Sequence, residues 1–339
     1  MDIEIKKDIY NEIRNLLKEA RKSIVSNINT TMTKTYFLIG KRIVEEEQNG
    51  NERAEYGEKL IKNLSKKLTE EFGKGFSKRN LWQMKQFYLA YSKVQTVSAQ
   101  FKLSWSHYLI LMRMENMEER NFYEIESIQN NWSLRELRRQ IDSALYERLV
   151  LSRDKAKVKE LAFKGQVIEK PEDIIKDPYI LEFLGLEEQN NYSETDLETS
   201  IINNLEKFLL ELGKGFLFQG RQVRFTFDEE HYFVDLVFYN RLLRCFVLID
   251  LKIGKIKHQD LGQMQMYVNY YDRYVKLPEE NKTIGIVICR EKNDTLVKLT
   301  LPEDNNQIFA SKYMTVLPSK EELKKVLDKE YNNGGNLDD

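Results

Sequence analysis

The sequence predicts an all-α domain followed by an α/β domain in a chain of 339 residues. Two observations carry that division. In the front half apolar side chains recur three and four positions apart, the period of a helix face, whereas beyond Gly213 they alternate, the period of a half-buried strand. The chain also holds only 5 prolines and 15 glycines, so long elements are expected, and its length suits two compact units better than one.

Taken in order, Ile9, Ile13, Leu16, Leu17, Ala20 and Ile24 set a helical repeat over 9–24 that continues in the same style over 28–47. The next helix, 59–72, carries Leu60, Ile61, Leu64 and Leu68 on one face, and Gly73-Lys-Gly75 stops it. Ser77 is an N-cap for a helix over 78–91. Ser133-Leu-Arg-Glu136 matches a capping box and opens a helix to about residue 153. The first domain is therefore placed at 8–150. A linker, 151–178, runs from a charged stretch to Pro171 and Pro178, and a second domain occupies 179–330. It starts with a polar loop at Asn190 and Asn191 and a helix over 194–212 that ends at Gly213-Lys-Gly215. Val223, Phe225 and Phe227 then alternate as a strand, Asp228-Glu-Glu230 turns the chain, and strands over 232–239 and 244–252 are joined by a turn at Asn240 and Arg241. A helix over 260–274, a strand over 283–289, a short strand near Tyr313 and a charged helix over 320–329 complete the chain. Gly-Lys-Gly-Phe occurs at both 73–76 and 213–216 without matching flanks, so it marks two helix stops and not a duplication. Neither copy has the spacing of a phosphate loop.

Composition is that of an ordinary globular chain, 41% hydrophobic and 32% charged. No run of 18 apolar residues exists and the amino terminus lacks the apolar stretch of a secretory signal, so a cytoplasmic protein without a membrane span is expected. Cys245 and Cys289 sit in apolar runs and read as buried thiols. Residues 1–169 hold 31 Lys and Arg against 24 Asp and Glu, and residues 170–339 hold 22 against 30. A basic front half can meet phosphate and an acidic back half can hold a cation, although from charge alone ordinary solvated surfaces are the better account.

The chemistry lies in Cys245-Phe-Val-Leu-Ile-Asp-Leu-Lys252. Strand alternation puts Asp250 and Lys252 on one face and Ile249 and Leu251 on the other. A charged pair at the end of an apolar central strand is costly unless compensated, and metal coordination would compensate the carboxylate. The preceding strand, Tyr232-Phe-Val-Asp235-Leu-Val-Phe-Tyr239, brings a second carboxylate. The short turn makes the strands antiparallel neighbours, so Asp235 can approach Asp250. Hard Mg²⁺ takes such oxygen ligands and keeps several waters. It can activate a water and stabilise charge on a phosphodiester, while an ammonium orients that water. A structural Asp–Lys ion pair is the bland alternative, and the second Asp argues against it.

On these residues the sequence resembles the PDDEXK, or restriction-endonuclease-like, nuclease superfamily, whose motif is an Asp, a strand turn, then Asp/Glu-x-Lys. The resemblance narrows to the YhcG-like family of bacterial nucleases. It does so on Phe208-Leu-Leu-Glu-Leu-Gly-Lys-Gly-Phe216, Gly220-Arg-Gln222, Val234-Asp-Leu-Val-Phe-Tyr239, Leu243-Arg-Cys245 and Leu251-Lys-Ile-Gly254. In the front half it rests on Tyr56-Gly57, Phe72-Gly-Lys-Gly-Phe-Ser77 and Phe87-Tyr88. The resemblance implies a central mixed sheet flanked by helices. It also implies a nuclease cutting phosphodiester bonds, in DNA before RNA, with Mg²⁺ as cofactor and Mn²⁺ as substitute. It makes Asp235, Asp250 and the carbonyl of Leu251 metal ligands and gives Lys252 to the attacking water. It asks for a Glu from an earlier helix, for which Glu198 is the first candidate and Glu206 the second, and for a Gln and a Tyr four apart, matched by Gln263 and Tyr267. A core role for Tyr267 stands equally. Two departures are visible: position 250 is Asp where Glu is commoner, and position 234 is Val where the motif has Pro. A catalytically idle binding or assembly module that keeps the fold is the rival reading.

Arg221, Gln222 and Arg224 precede Asp235 on a strand and either contact phosphate or decorate an edge. His107, His231 and His258 have no metal-ligand spacing. The helices over 59–72 and 78–91 have the outline of a helix-turn-helix, whose second helix would expose Lys78, Arg79, Asn80, Gln83, Lys85 and Gln86 to phosphates or base edges. The same outline occurs in bundles that never meet DNA. Self-association or docking to a protein partner is therefore the alternative role for this domain.

Overall fold

The computed structural model describes residues 7–49, 54–92, 101–151, 155–186, 191–318 and 323. The chain divides into two units, Met1–Leu137 and Arg138–Asp339. The helix expected over 320–329 lies outside the described residues, Leu323 apart. Among the described residues no helix is long and apolar enough to cross a membrane.

The first unit is helical. Its helices are α1 (Lys7–Asn49), α2 (Ala54–Phe72), α3 (Lys78–Tyr91), α4 (Trp105–Leu111) and α5 (Met117–Gln129), with α6 (Leu134–Asp142) starting at its end. The two apolar repeats over 9–24 and 28–47 fuse into the single helix α1, because neither Pro nor Gly interrupts them before Gly40. The carboxy-terminal half of α1 builds the core: Phe37, Ile43 and Val44 are buried, and Phe37 packs against Phe87, Tyr88 and Phe101. Earlier on α1, Ile9, Ile13, Leu16, Leu17 and Ile24 are all more than half exposed. Ser77 caps α3 as expected, its Oγ accepting from the Asn80 amide at 3.3 Å. Helices α4 and α5 were not expected. The seven-residue α4 is too short to show a period, but α5 carries a readable cap, since Asn116 Oδ1 accepts from the Glu118 and Glu119 amides at 2.8 and 3.2 Å.

Gly40 fixes the spacing of α1 and α3. A Cβ there would lie 2.0 Å from the Met84 carbonyl oxygen, a contact that only movement of the α3 backbone can relieve. Gly→Ala in an ordinary helix interior stabilises by up to about 1 kcal/mol. Here we expect the opposite sign, with Gly40→Ala destabilising by about 1–3 kcal/mol from overpacking. Urea unfolding followed by circular dichroism reads the sign directly, and an unchanged or higher midpoint would refute the close approach.

The helix expected from 134 to about 153 is broken into α6 and α7 (Leu145–Leu151), with Ala144 left-handed at φ 50°. The break has a partner. Arg148, fully buried, donates to the Ser143 carbonyl at 2.9 Å, to Ser143 Oγ at 3.2 Å and to the Pro178 carbonyl at 3.0 Å. Its guanidinium also pairs with the buried Glu211 carboxylate at 2.5 Å. Burial pushes the Glu211 carboxyl up, but Arg148 and then Lys176 hold it below its ordinary value. A buried pair so fully bonded is an anchor, and removing one partner typically costs about 3–5 kcal/mol.

The second unit continues with α8 (Lys155–Lys164), β1 (Tyr179–Ile180), α9 (Glu194–Asn203), α10 (Leu205–Leu212), β2 (Phe216–Phe227), β3 (Glu230–Asn240) and β4 (Cys245–Lys255). It ends in α11 (His258–Tyr270), β5 (Ile284–Glu291), α12 (Asp294–Thr300) and β6 (Ile308–Met314). The helix expected over 194–212 is two, because Asn204 at φ −119° turns the chain and its side chain takes the Ser200 carbonyl at 3.1 Å. The six strands form one mixed sheet in the order β1-β6-β5-β4-β3-β2. The pairs β2–β3 and β3–β4 are antiparallel, while β4–β5, β5–β6 and β1–β6 are parallel. Helices cover both faces. Leu197, Ile201, Phe208 and Leu212 of α9 and α10 pack with Val247, Ile249 and Leu251 on one side, and Leu261, Met264, Tyr267 and Val268 of α11 pack with Leu248 and Val287 on the other. This is the mixed sheet flanked by helices that the motif implied. Cys245 and Cys289 are buried free thiols.

Candidate active site

The site grows from a fork in the sheet. Pairing of β3 with β4 runs from Asn240–Cys245 to Leu236–Ile249 and stops there. Beyond that point the Leu251 amide donates to Asp235 Oδ2 at 2.8 Å, so a side chain takes over where the backbone ladder ends. Asp235 is thereby fixed beside the β4 residues Asp250 and Lys252. On β4, Ile249 and Leu251 enter the α9–α10 core, and Asp250 and Lys252 project oppositely, as strand alternation requires.

Asp250 is 2% exposed. Lys252 Nζ lies 2.8 Å from its Oδ2, yet this buried oxygen receives no well-directed hydrogen bond. Burial is the largest influence on its carboxyl and lifts it well above the ordinary carboxylate range; Lys252 opposes the lift and Asp235 adds to it. Burial works to lower the Lys252 ammonium, but Asp250, helped by Glu194 and Asp235, leaves it above its ordinary value. Glu194 reaches to 3.8 Å from Lys252 Nζ. It was not singled out in the sequence, although it precedes Glu198 by one helical turn on α9.

Glu198 enters from α9 at 7% exposure. Gln222 on β2 links it to the fork: its Nε2 donates to Glu198 Oε2 at 2.7 Å and to Asp235 Oδ1 at 2.9 Å. Gln222 stands between the Arg221–Leu236 and Val223–Val234 pairs, opposite Asp235. Its backbone is left-handed at φ 46°, a conformation that costs a residue with a Cβ about 1–2 kcal/mol. The two carboxylate contacts are what the turn of the backbone gains. Burial, ahead of the charge of Asp235, raises the Glu198 carboxyl against the bond from Gln222. Glu206, the second candidate, is exposed on α10.

From the other face α11 supplies Gln263 and Tyr267, hydrogen-bonded to each other. Tyr267 is 1% exposed and packs edge-on against Phe225, and its hydroxyl is pushed up to about 12 by burial and then by Asp250. It therefore belongs to the core and borders the site at once. Arg221 is exposed but close enough to ease the charge of Glu198. Arg224 lies exposed further along β2.

These residues suit a hard divalent cation. The donors are oxygens, and one of them, Asp250 Oδ2, is buried without a donor directed at it. Among the described residues no group of three or more His, Cys, Asp or Glu side chains is placed to hold a metal ion. Mg²⁺ does not require such a group, since it takes one or two carboxylates and keeps its waters.

In the first unit the helix-turn-helix outline is present, but half of its candidates are engaged or buried. Asn80 Nδ2 donates to the Gly75 carbonyl at 3.0 Å, Lys85 pairs with Glu47 of α1 at 2.5 Å, and Gln83 is 7% exposed. Gln83 is thus not exposed as the sequence suggested, because it lies at the base of a cleft between α3 and the end of α4. Lys78 and Arg79 are exposed and Gln86 is half-buried.

Comparison with known proteins bears on both units. Residues 172–328 match the model of the YhcG PDDEXK nuclease domain, and residues 12–148 match the DUF1016 N-terminal domain. The chain is 40% identical over 345 aligned positions to a protein of Escherichia coli K12 named "Putative nuclease YhcG", covering 93% of this chain and 92% of that one. A crystal structure of a repair endonuclease from Pyrococcus abyssi overlaps 36% of this chain and 48% of its own at 17% identity. Its TM-score of 0.25 is too low to support an argument.

Proposed function

Because this chain belongs to the YhcG family of PDDEXK nucleases, we propose that it is a Mg²⁺-dependent enzyme that hydrolyses phosphodiester bonds in DNA, with the helical first unit guiding the choice of substrate. The observation that carries this reading is Asp250, a buried carboxylate with an under-satisfied oxygen, set beside Asp235 and 2.8 Å from an ammonium.

In this reading Asp235, Asp250 and the carbonyl of Leu251 hold the cation, and Mn²⁺ can replace Mg²⁺. When bound, the ion supplies Lewis-acid stabilisation of charge on the phosphate and acidifies a water. Lys252 donates to the attacking water, orients it toward phosphorus and offsets the negative charge that develops there. Gln222 keeps Glu198 and Asp235 a fixed distance apart, and Glu198 accepts a proton or hydrogen bond from water on the α9 side. Gln263 and Tyr267 border the scissile phosphate from α11, and Arg221 and Arg224 meet the flanking phosphates. In the first unit Lys78 and Arg79 contribute phosphate contacts, which fix position without reading sequence.

A panel of labelled single- and double-stranded DNA and RNA, incubated with Mg²⁺, Mn²⁺ or EDTA, tests the proposal. We expect cleavage of DNA with either metal and none in EDTA. Cleavage confined to RNA would move the substrate. Intact substrate under every metal condition would leave a binding module that keeps the fold.

A further inference from the structure

We propose that the first unit carries a separate binding site for an unpaired nucleotide, in a cleft of about 420 Å³ between α3 and the end of α4, lined by Arg79, Trp82, Gln83, Gln86, Met112 and Arg113. Four of these residues fall at 79, 82, 83 and 86, the one-face spacing of a helix. Met112 and Arg113 close the opposite wall.

Three features identify the occupant. Arg79 and Arg113 converge on one cleft, and neither guanidinium has a carboxylate partner among the described residues. Like charges gathered without a counterion call for an anion, and two of them suit the backbone of a nucleic acid. Trp82 is 53% exposed. On the same helix Phe87 packs edge-on or tilted against Trp105, Tyr91 and Tyr108 in the core, whereas the indole of Trp82 makes no ring contact among the described residues. An exposed indole at the rim of a basic cleft is a stacking platform for a base. Gln83, only 7% exposed, makes no side-chain hydrogen bond among the described residues and presents its amide to the cleft. That amide offers one acceptor and two donor hydrogens, which the edge of a base can match.

The geometry favours an unpaired base. Within a duplex each base is covered on both faces by its neighbours and cannot lie on an indole, whereas a base in a single strand, bulge or flap can. The α3 helix is thus a reader of unstacked nucleotides in place of the duplex-groove helix that its helix-turn-helix outline suggests. The inference does not depend on the catalytic reading of the second unit, because binding is measured with the metal removed.

The test uses the full-length protein in EDTA, with fluorescein-labelled oligothymidylate and a duplex of the same length. We expect the single strand to bind more tightly than the duplex and to quench tryptophan emission. Trp82→Ala should weaken single-strand binding by about tenfold or more, the loss of one stacked base, while Trp82→Phe retains most of it. Arg113→Ala should lower the slope of log affinity against log salt by about 0.7, one phosphate contact. Because Trp82 is exposed, the variants should melt as the wild type does, and melting curves verify it. A folded Trp82→Ala that binds the single strand as tightly as wild type, or a protein that binds only the duplex or neither, overturns the proposal. Loss of cleavage with Trp82-dependent binding intact would instead count against the nuclease reading alone.

Discussion

Asp250→Ala is expected to abolish cleavage while leaving the fold as stable as before, or slightly more so, in EDTA. The carboxylate it removes is buried, raised by its surroundings and under-satisfied, so in the absence of a cation it contributes strain and not stability. Lys252, left behind, is not stranded: its side chain is 19% exposed and Glu194 lies 3.8 Å away, so water and a second carboxylate take over its solvation. With metal present the order reverses. The wild type should gain stability on adding Mg²⁺ in proportion to the logarithm of its concentration above the dissociation constant, and the variant should gain almost none. The activity lost should exceed about 10³-fold, because a metal contributes several kcal/mol of transition-state charge stabilisation and each 1.36 kcal/mol is tenfold in rate. Thermal melts across a Mg²⁺ titration, read beside single-turnover cleavage, test both halves. An Asp250→Ala protein that cuts at the wild-type rate, or that melts as much later with Mg²⁺ as wild type does, would remove Asp250 from the metal site.

What could be read from the sequence was whatever period two and local capping encode. The strand–turn–strand carrying Asp235, Asp250 and Lys252 was legible because alternation puts the last two on one face and a short turn pairs the strands. The N-cap Ser77 was legible because its partner is three residues away. What was hidden depends on partners distant in the chain. The fork beyond Leu236–Ile249, where a side chain replaces the ladder at the Leu251 amide, has no signature in either strand alone. Nor does the left-handed Gln222, whose backbone answers to Glu198 and Asp235, 24 and 13 residues away. The helix break at Ala144 was missed for the same reason, since it serves an Arg148 whose carboxylate partner lies 63 residues on. On α3 the sequence counted polar side chains without knowing that Glu47 of α1 would claim Lys85. It also passed over Trp82, because an aromatic on a helix reads as core until its neighbours are placed.

Lys252→Ala separates chemistry from architecture more sharply than any other substitution. If Lys252 serves the attacking water, its loss should spare metal and substrate binding and slow the single-turnover rate by about 10²–10³, roughly 3–4 kcal/mol of transition-state stabilisation, as for other single preorganised donors. If the ammonium instead only neutralises Asp250, removing it would strand a buried carboxylate and destabilise the fold by about 3–5 kcal/mol. The setting of the pair decides between these outcomes. Burial already lifts the Asp250 carboxyl well above its ordinary value, so without Lys252 it can take up a proton and escape the penalty of an unpaired charge. Asp235 is held by the Leu251 amide and Gln222 and does not lean on Lys252 for its hydrogen bonds. The variant is therefore expected to melt close to wild type in EDTA at neutral pH, to bind Mg²⁺, and to fail in turnover. Circular-dichroism melts with and without Mg²⁺ give the first two readings and rapid-quench cleavage gives the third. A melt lowered by the full cost of a stranded charge, which Mg²⁺ does not restore, would place Lys252 in the scaffold, because a cation at Asp250 should neutralise the carboxylate that the ammonium no longer covers.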